Sequence, residues 1–408
     1  ATTEIYTLSL HDALPISFTW DIEGINMYKR IIAFLVSMAL FLGMVLSMEA
    51  YAKTSATDAS VNTTYTVKLS SATDKKMYKF KTPEAGRISI DVATTAQGDN
   101  YAITTTLEDE TGKIVVDPES GSAYTMASYG AAAGQIFYLI VTDSYRGYDT
   151  SFKITIGFSA DTGWETENND TSEDADAITA GQKYYGSISR SSDIDFFKFR
   201  LSAAKKIKLY FGPNVIDGRQ RQWDVDIYNE AGDQVDVFDT ASKSSMTLKL
   251  KKGLYYIRVS GGTSVADDGT IAAGVGGDYW LQLSVSKLSV KKPAITSVKI
   301  KGTESWLYDN YATATITIKN AGSNIDGFTF RISKSRSMKS GTKKKNYSLS
   351  SDGVTAKKIR SAVRMGIYPA YYVQVRGYVR DAFGGKIYGK YSSVKSGKLS
   401  AKDYNKLK

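Results

Sequence analysis

The sequence predicts an all-β protein: tandem antiparallel β-sandwiches preceded by a signal-peptide helix. Three observations carry this. Beyond residue 53 apolar residues recur at every second position, as in Ile88, Ile90, Val92 and in Ile207, Leu209, Phe211, which puts one face of a strand into a core. The chain is rich in Tyr, Thr, Ser, Val and Gly and holds only 6 Pro in 408 residues, a composition suited to many short strands and turns. Patterns of residues also recur about 120 positions apart, as a duplicated domain requires.

The amino-terminal elements come first. Met27-Tyr28-Lys29-Arg30 is a short basic stretch, Ile31 to Ser47 is almost wholly apolar, and Ala50-Tyr51-Ala52 precedes Lys53. That order is expected of a cleaved signal peptide over 27–52, with the mature chain starting at Lys53. The alternative is a retained anchor, but the apolar run is near the short limit for a membrane span. Residues 1–26 precede a complete leader and read as a non-native upstream stretch. The expected location is extracellular or at the cell surface, with no membrane span in the mature protein.

Two units follow, 53–160 and 161–288. Asp74-Lys75-Lys76-Met77-Tyr78-Lys79-Phe80 matches Asp193-Ile194-Asp195-Phe196-Phe197-Lys198-Phe199. Glu110-Thr111-Gly112 matches Glu230-Ala231-Gly232, and Gly134 to Val141 matches Gly253 to Val259. Gly112 and Gly232 stand where a tight hairpin needs a positive φ. Each unit closes on an alternating strand, Ser151 to Phe158 and Asp278 to Val285. Leu288 to Pro293 reads as a linker to a third unit, 289–408, with strands at Ala312 to Ile318, Gly327 to Ile332 and Tyr371 to Val379.

Composition closes several chemistries. There is no Cys, so disulfides, thiolate metal sites and a Cys nucleophile are excluded. The one His, His11, lies in the upstream stretch. Its loss from the mature chain removes Ser-His-Asp catalysis, histidine-based zinc sites and histidine general bases. The Gly-rich run from Gly261 to Gly277 does not lead a strand into a helix, so it reads as a long hairpin connection and not as a phosphate loop.

The second unit opens on an acidic run, Glu165-Thr166-Glu167-Asn168-Asn169-Asp170. In an extended segment Glu165, Glu167 and Asn169 point to one face. Carboxylates held this close repel, and a bound cation relieves that. The donors are all oxygens, which suits Ca²⁺ and its roughly 6–8 oxygen ligands. Asp193 and Asp195 alternate in the same way and can complete the shell from a neighbouring strand. The alternative is a solvated acidic linker.

The run Glu-x-Glu-x-Asn-Asp, then Asp-x-Asp-Phe-Phe-x-Phe, a Tyr-Asn-x-x-Gly hairpin and a Gly-x-Tyr-Tyr-x-x-Val strand resembles the bacterial pre-peptidase carboxy-terminal domain, to which collagenase collagen-binding domains are similar. The resemblance covers about 161–287 and implies a jelly-roll-like sandwich. It also implies that Glu165, Glu167, Asn169, Asp170, Asp193 and Asp195 hold calcium, with Asp195 alternatively bracing the strand that follows it. The first unit is expected to be a degenerate copy without calcium: its leading segment, Asp58 to Tyr65, has no acidic pair, and Lys76 stands where Asp195 stands. In the third unit, Tyr371 to Arg380 followed by Gly389-Lys390-Tyr391-Ser392 resembles the last strands of a fibronectin type III domain, implying an immunoglobulin/fibronectin-like sandwich.

Charge is segregated. Residues 53–160 carry 10 basic and 12 acidic residues, 161–288 carry 15 and 19, and 289–408 carry 25 and 6. The third unit includes Arg331, Lys334, Arg336, Lys343, Lys344, Lys345, Lys357, Lys358 and Arg360. A surface of one sign attracts polyanions. The expected partners are an anionic cell-wall or extracellular polymer, or a matrix protein; nucleic acid is not expected, since no recognition motif accompanies the charge. The expected protein is a secreted, calcium-binding, non-catalytic attachment module acting as a monomer. The alternatives are an accessory or substrate-targeting part of a secreted peptidase or glycosidase system, and a surface spacer.

Overall fold

The computed structural model describes residues 55–408 apart from 95–100, 214, 217–218, 241–242, 266–270, 274–276, 307–308, 320–324, 340–341 and 349–357. The upstream stretch, His11, the leader, Lys53 and Lys357 lie outside the described residues, as does part of the Gly261–Gly277 run. The regular structure of the described chain is nearly all strand, in pairs of sheets packed face to face.

In the first pair, one sheet runs Thr57–Asp58, Lys75–Lys81, Ile136–Tyr145, Ala102–Asp109, Ile114–Gly121 in spatial order. The facing sheet runs Thr63–Val67, Phe152–Ala160, Gly86–Thr94, Ala123–Thr125, and Tyr129–Ala131 also pairs with Gly86–Thr94. The alternate residues Ile88, Ile90, Val92 and Phe152, Ile154, Ile156 meet Phe137, Leu139 and Val141 in one core. The second pair repeats the plan. Asp176–Ala177, Ile194–Leu201, Gly253–Val265 and Arg219–Asn229 form one sheet; Lys183–Ser187, Asp278–Lys287, Lys205–Gly212 and Ser245–Leu250 form the other. Ile207, Leu209, Phe211, Phe197 and Ile257 lie in its core. The hairpin glycines Gly112 and Gly232 have φ of 91° and 81°, a conformation that costs glycine little and other residues more.

Both plans begin with a two-residue strand laid parallel on the next, Thr57 against Tyr78 and Asp176 against Phe197. This register corrects one expectation. Asp58 to Tyr65 is the counterpart of the stretch after the acidic run, and the counterpart of Glu165–Asp170 lies upstream of Ser55, outside the described residues. The missing acidic pair in 58–65 therefore says nothing about calcium. The same register does place Lys76 at the position of Asp195, and Lys76 pairs with Asp74 at 3.1 Å.

In the third pair, Ala294–Thr303, Tyr311–Lys319 and Lys358–Met365 face a sheet ordered Lys343–Ser348, Gly327–Ser333, Ala370–Arg380, Lys386–Tyr388, with Lys395–Lys398 also on Ala370–Arg380. Residues 288–293 belong to no strand. A helix, Ala401–Leu407, ends the chain; the Ser400 hydroxyl caps it by accepting from the Asp403 N–H at 3.0 Å. Seven residues are too few to show a helical period, so the sequence pattern did not reveal it.

Consecutive sandwiches touch. At the first joint Asp117 N–H donates to Ser189 O (3.0 Å), Ser189 Oγ to Val115 O (2.9 Å), and Arg87 pairs with Asp278 (2.7 Å). At the second, Ala382 N–H donates to Lys249 O (3.0 Å), Lys251 pairs with Asp381 (2.9 Å), and Phe383 stacks on Tyr255 with ring centroids 6.4 Å apart.

Candidate metal centre

The segment 165–170 is not a regular strand. It keeps strand-like alternation all the same: Glu165, Glu167 and Asn169 are buried while Thr166, Asn168 and Asp170 are not. Backbone bonds on two sides hold it in place. Glu165 N–H donates to Tyr185 O at 2.9 Å, and Asn169 O accepts from Phe196 N–H at 3.0 Å. Those two partners lie on opposite sheets of the second sandwich, so the segment closes the sandwich's open edge and turns its acids inward.

Asp193 and Asp195 come from the start of Ile194–Leu201. Asp193 is 2% exposed and Asp195 fully buried, so five acidic or amide side chains of the sequence-derived set are removed from water. Two groupings bring carboxylate oxygens within 4.8 Å of one another: Glu165, Glu167 and Asp195, and Glu167, Asp170 and Asp193. Glu167 belongs to both.

Several of these oxygens have no donor. Both carboxylate oxygens of Glu167, Asn169 Oδ1, Asp193 Oδ1 and Asp195 Oδ1 are buried and make no hydrogen bond. A buried oxygen left without a donor loses its hydration for nothing. The remaining oxygens are occupied. Glu165 accepts from Ser187 N–H at 2.6 Å, and Asp193 from the N–H and hydroxyl of Ser189 at 2.6 and 2.8 Å. The Tyr279 hydroxyl lies 3.0 Å from Glu165 and 2.5 Å from Asp195, and its one proton serves only one of them at a time.

The electrostatics agree with the geometry. Burial, then the charge of its neighbours, pushes Glu167 up to about 8. Burial first, and neighbouring carboxylates second, hold Glu165 and Asp195 well above the ordinary carboxylate range. Asp193 is raised by burial as well. Without a cation the cluster keeps protons it would lose in water.

Three participants were not legible in the sequence. Arg190 reaches Asp170 at 2.7 Å and Asp193 at 3.8 Å, so one guanidinium faces five carboxylates and Asp170 is the most compensated of them. Asp176 accepts from Thr166 N–H at 2.8 Å and from Asn169 Nδ2 at 3.4 Å; holding the amide nitrogen leaves the Asn169 oxygen facing the cluster. Tyr279 arrives from the closing strand Asp278–Lys287. These lie roughly 5 to 115 residues from the acidic run and carry no pattern that ties them to it.

The donor set is wholly oxygen, buried and anionic, and so the cluster of Glu165, Glu167 and Asp195 could hold a hard metal ion.

The basic residues of the third unit are not brought to one place. Arg331, Lys343, Lys344 and Lys345 lie in the sheet built on Gly327–Ser333, whereas Lys358 and Arg360 lie in the facing sheet. Lys334 and Arg336 are exposed just after Gly327–Ser333.

No protein family model matches the chain, and no curated protein matches it by sequence. Solved structures give three likenesses worth stating. The pre-peptidase C-terminal domain of collagenase from Bacillus anthracis is 22% identical, over 25% of this chain and 93% of that one, with a TM-score of 0.21. A DUF3823 family protein from Bacteroides ovatus is 12% identical, over 47% and 98%, with a TM-score of 0.17. A tetra-tandem repeat from the extending region of a large adhesion protein is 11% identical, over 80% and 74%, with a TM-score of 0.18. At these scores the reading of the chain rests on its own residues.

Proposed function

We propose that this chain is an exported, calcium-dependent attachment protein without a catalytic role, in which the second sandwich binds Ca²⁺ through Glu165, Glu167, Asn169, Asp170, Asp193 and Asp195. The observation that carries the reading is the set of buried oxygens without donors around Glu167. Ca²⁺ fits them better than Mg²⁺: it takes more oxygen ligands in a looser geometry, and it sheds water more readily for an all-protein cage. Export is inferred from the leader pattern over 27–52. The third unit, read as a fibronectin type III-like sandwich, supplies the attachment through its excess of basic residues, to an anionic polymer of the cell wall or extracellular matrix.

Calorimetric unfolding of the full chain, with calcium and with a chelator, tests the reading. A ligand that binds only the folded state raises its stability by mass action. One transition should rise with calcium, and Glu167→Ala with Asp170→Ala should abolish the rise. Identical traces with and without calcium would remove the metal assignment.

A further inference from the structure

The basic excess of the third unit has one place where it is built and not merely scattered. In Gly327–Ser333 and Ala370–Arg380 the alternate residues Phe328, Phe330, Ile332, Val373 and Val375 fill the core. The residues between them therefore face outward. Register puts Lys344, Arg331 and Gln374 in one row across three strands, and Asn346, Thr329 and Arg376 in the next. Residues 388–392 run along the far side of Ala370–Arg380 and bring Tyr388 and Tyr391 to the same face: Tyr388 pairs with Tyr378, and Ser392 N–H donates to Val375 O at 2.7 Å.

The two guanidiniums are held by tyrosine rings. Arg331 lies 4.1 Å from the centre of the Tyr391 ring; Arg376 lies 4.6 Å from the same ring and 3.6 Å from that of Tyr388. Such contacts fix a cation's position while leaving its charge unneutralised. Arg331 donates to the neutral Gln374 carbonyl oxygen, which is in turn oriented by donation from Gln374 Nε2 to Ser392 O at 2.8 Å. Arg376 Nε is buried and makes no hydrogen bond. Among the described residues no carboxylate pairs with either arginine.

Among the described residues the unit's acids lie elsewhere. Glu304 pairs with Lys406 beside the terminal helix, Asp326 with Lys249 and Asp381 with Lys251 at the joint to the second sandwich, and Asp403 opens the helix Ala401–Leu407. Asp309 precedes Tyr311–Lys319 in the facing sheet, and Asp352 lies outside the described residues. Lys344 on one edge strand and Lys386, 5.1 Å from the Tyr378 ring, extend the positive field at either side of the arginine pair.

We propose that this face grips an acidic polysaccharide, with Arg331 and Arg376 receiving successive sugar carboxylates and the exposed edge of Tyr388 packing on a sugar ring. It rests on the attachment reading above and names a ligand class and residues that reading lacks. The planar guanidinium fork matches a carboxylate with two parallel N–H···O bonds. Two such forks pre-positioned over one phenol ring suit charges repeated along a chain better than a single small ion. Tyr388, at 40% exposure, has ring surface left for the sugar.

The test is titration of the full chain with polygalacturonate, neutral dextran and polyglycerol phosphate at matched ionic strength. Polygalacturonate should bind and dextran should not. Arg331→Gln with Arg376→Gln should weaken it on the order of tenfold or more, as loss of charge-assisted bonds does. Lys398→Gln with Lys402→Gln, which removes the same net charge elsewhere, should weaken it by about twofold or less. Tyr388→Ala, which leaves both guanidiniums, should weaken polygalacturonate binding as well and guards against misfolding of the arginine pair. Equal losses in the two charge variants would overturn the built face while leaving attachment by overall charge intact. Preference for polyglycerol phosphate would overturn the carboxylate assignment, and no binding to either polymer would overturn the face and the attachment reading together.

Discussion

The backbone N–H of Glu167 donates to the carbonyl of Gly130, 3.1 Å away. Gly130 belongs to Tyr129–Ala131 in the first sandwich, and Glu167 is the acid common to both carboxylate groupings of the second. The candidate metal centre therefore sits in the joint between two sandwiches. Lys113, 3.0 Å from the Asn168 side chain, adds a second clasp from the same side.

Gly130 has no room for a side chain. A Cβ there would run into the Glu165 carbonyl and the Trp164 ring. Gly130→Ala should part the two sandwiches locally and weaken calcium binding, although no ligand is altered. Calcium titration should report the loss and small-angle scattering a more extended particle; wild-type affinity together with a wild-type scattering curve would refute the coupling.

Removing the shared charge should act in opposite directions with and without the ion. Glu167→Gln keeps the shape and deletes one of five crowded carboxylates, so the metal-free protein should melt at a higher temperature than wild type. With calcium the order should reverse, because the variant loses a ligand. At a calcium concentration 100 times the dissociation constant the wild type should gain about 2.7 kcal/mol. Thermal unfolding in chelator and in calcium measures both signs.

Asp176 should matter although it is not among the ligands. Asp176→Ala frees the Asn169 amide and the Thr166 N–H that it anchors. Loss of a group that orients a ligand commonly costs about 10–100-fold in metal affinity. Calcium titration with Asp176→Asn as the conservative partner checks it: Asn keeps an acceptor for Thr166 and should recover part of the affinity, whereas a purely electrostatic role would leave the two variants alike.

Acidity gives an independent handle. Glu167 is raised from the ordinary 4.5 to about 8. Between those values the folded metal-free protein holds a proton that the unfolded chain has released. Its stability must then fall as pH rises from about 4.5 to about 8 and level off above. Calcium needs the deprotonated oxygens, so its affinity should climb over the same window. Melting temperatures from pH 4 to 9 in chelator and in calcium should diverge as pH rises; parallel curves would refute the assignment.

Much of this was legible before any coordinates. The alternation of Glu165, Glu167 and Asn169 survives in their burial even though the segment is not a strand, because bonds to Tyr185 and Phe196 impose the same two-residue period. Asp193 and Asp195 were legible through the same alternation. What the sequence hides are contacts that cross sheets or sandwiches. Arg190, Tyr279 and Gly130 are ordinary residues whose roles come from where the topology puts them. The same holds for the tyrosine-held arginines: Arg331 is conspicuous in a basic run, but Arg376, set between Val375 and Gly377 in Ala370–Arg380, becomes its partner only through cross-strand register.

The two joints have a mechanical meaning. The first is a few polar contacts, among them Ser189 with Val115 and Asp117, and the second a few polar contacts with the stack of Phe383 on Tyr255, while each sandwich is sewn by continuous ladders such as that between Ile194–Leu201 and Gly253–Val265. Regions with few buried contacts open at lower free energy than a core. Pulled by its ends, the chain should lengthen first by short steps as the joints part, and only at higher force by the long steps of unravelling sandwiches. A force–extension trace would resolve the two, and of the two joints calcium should strengthen only the first, making ion concentration the setting that decides how much slack the chain yields before it tears.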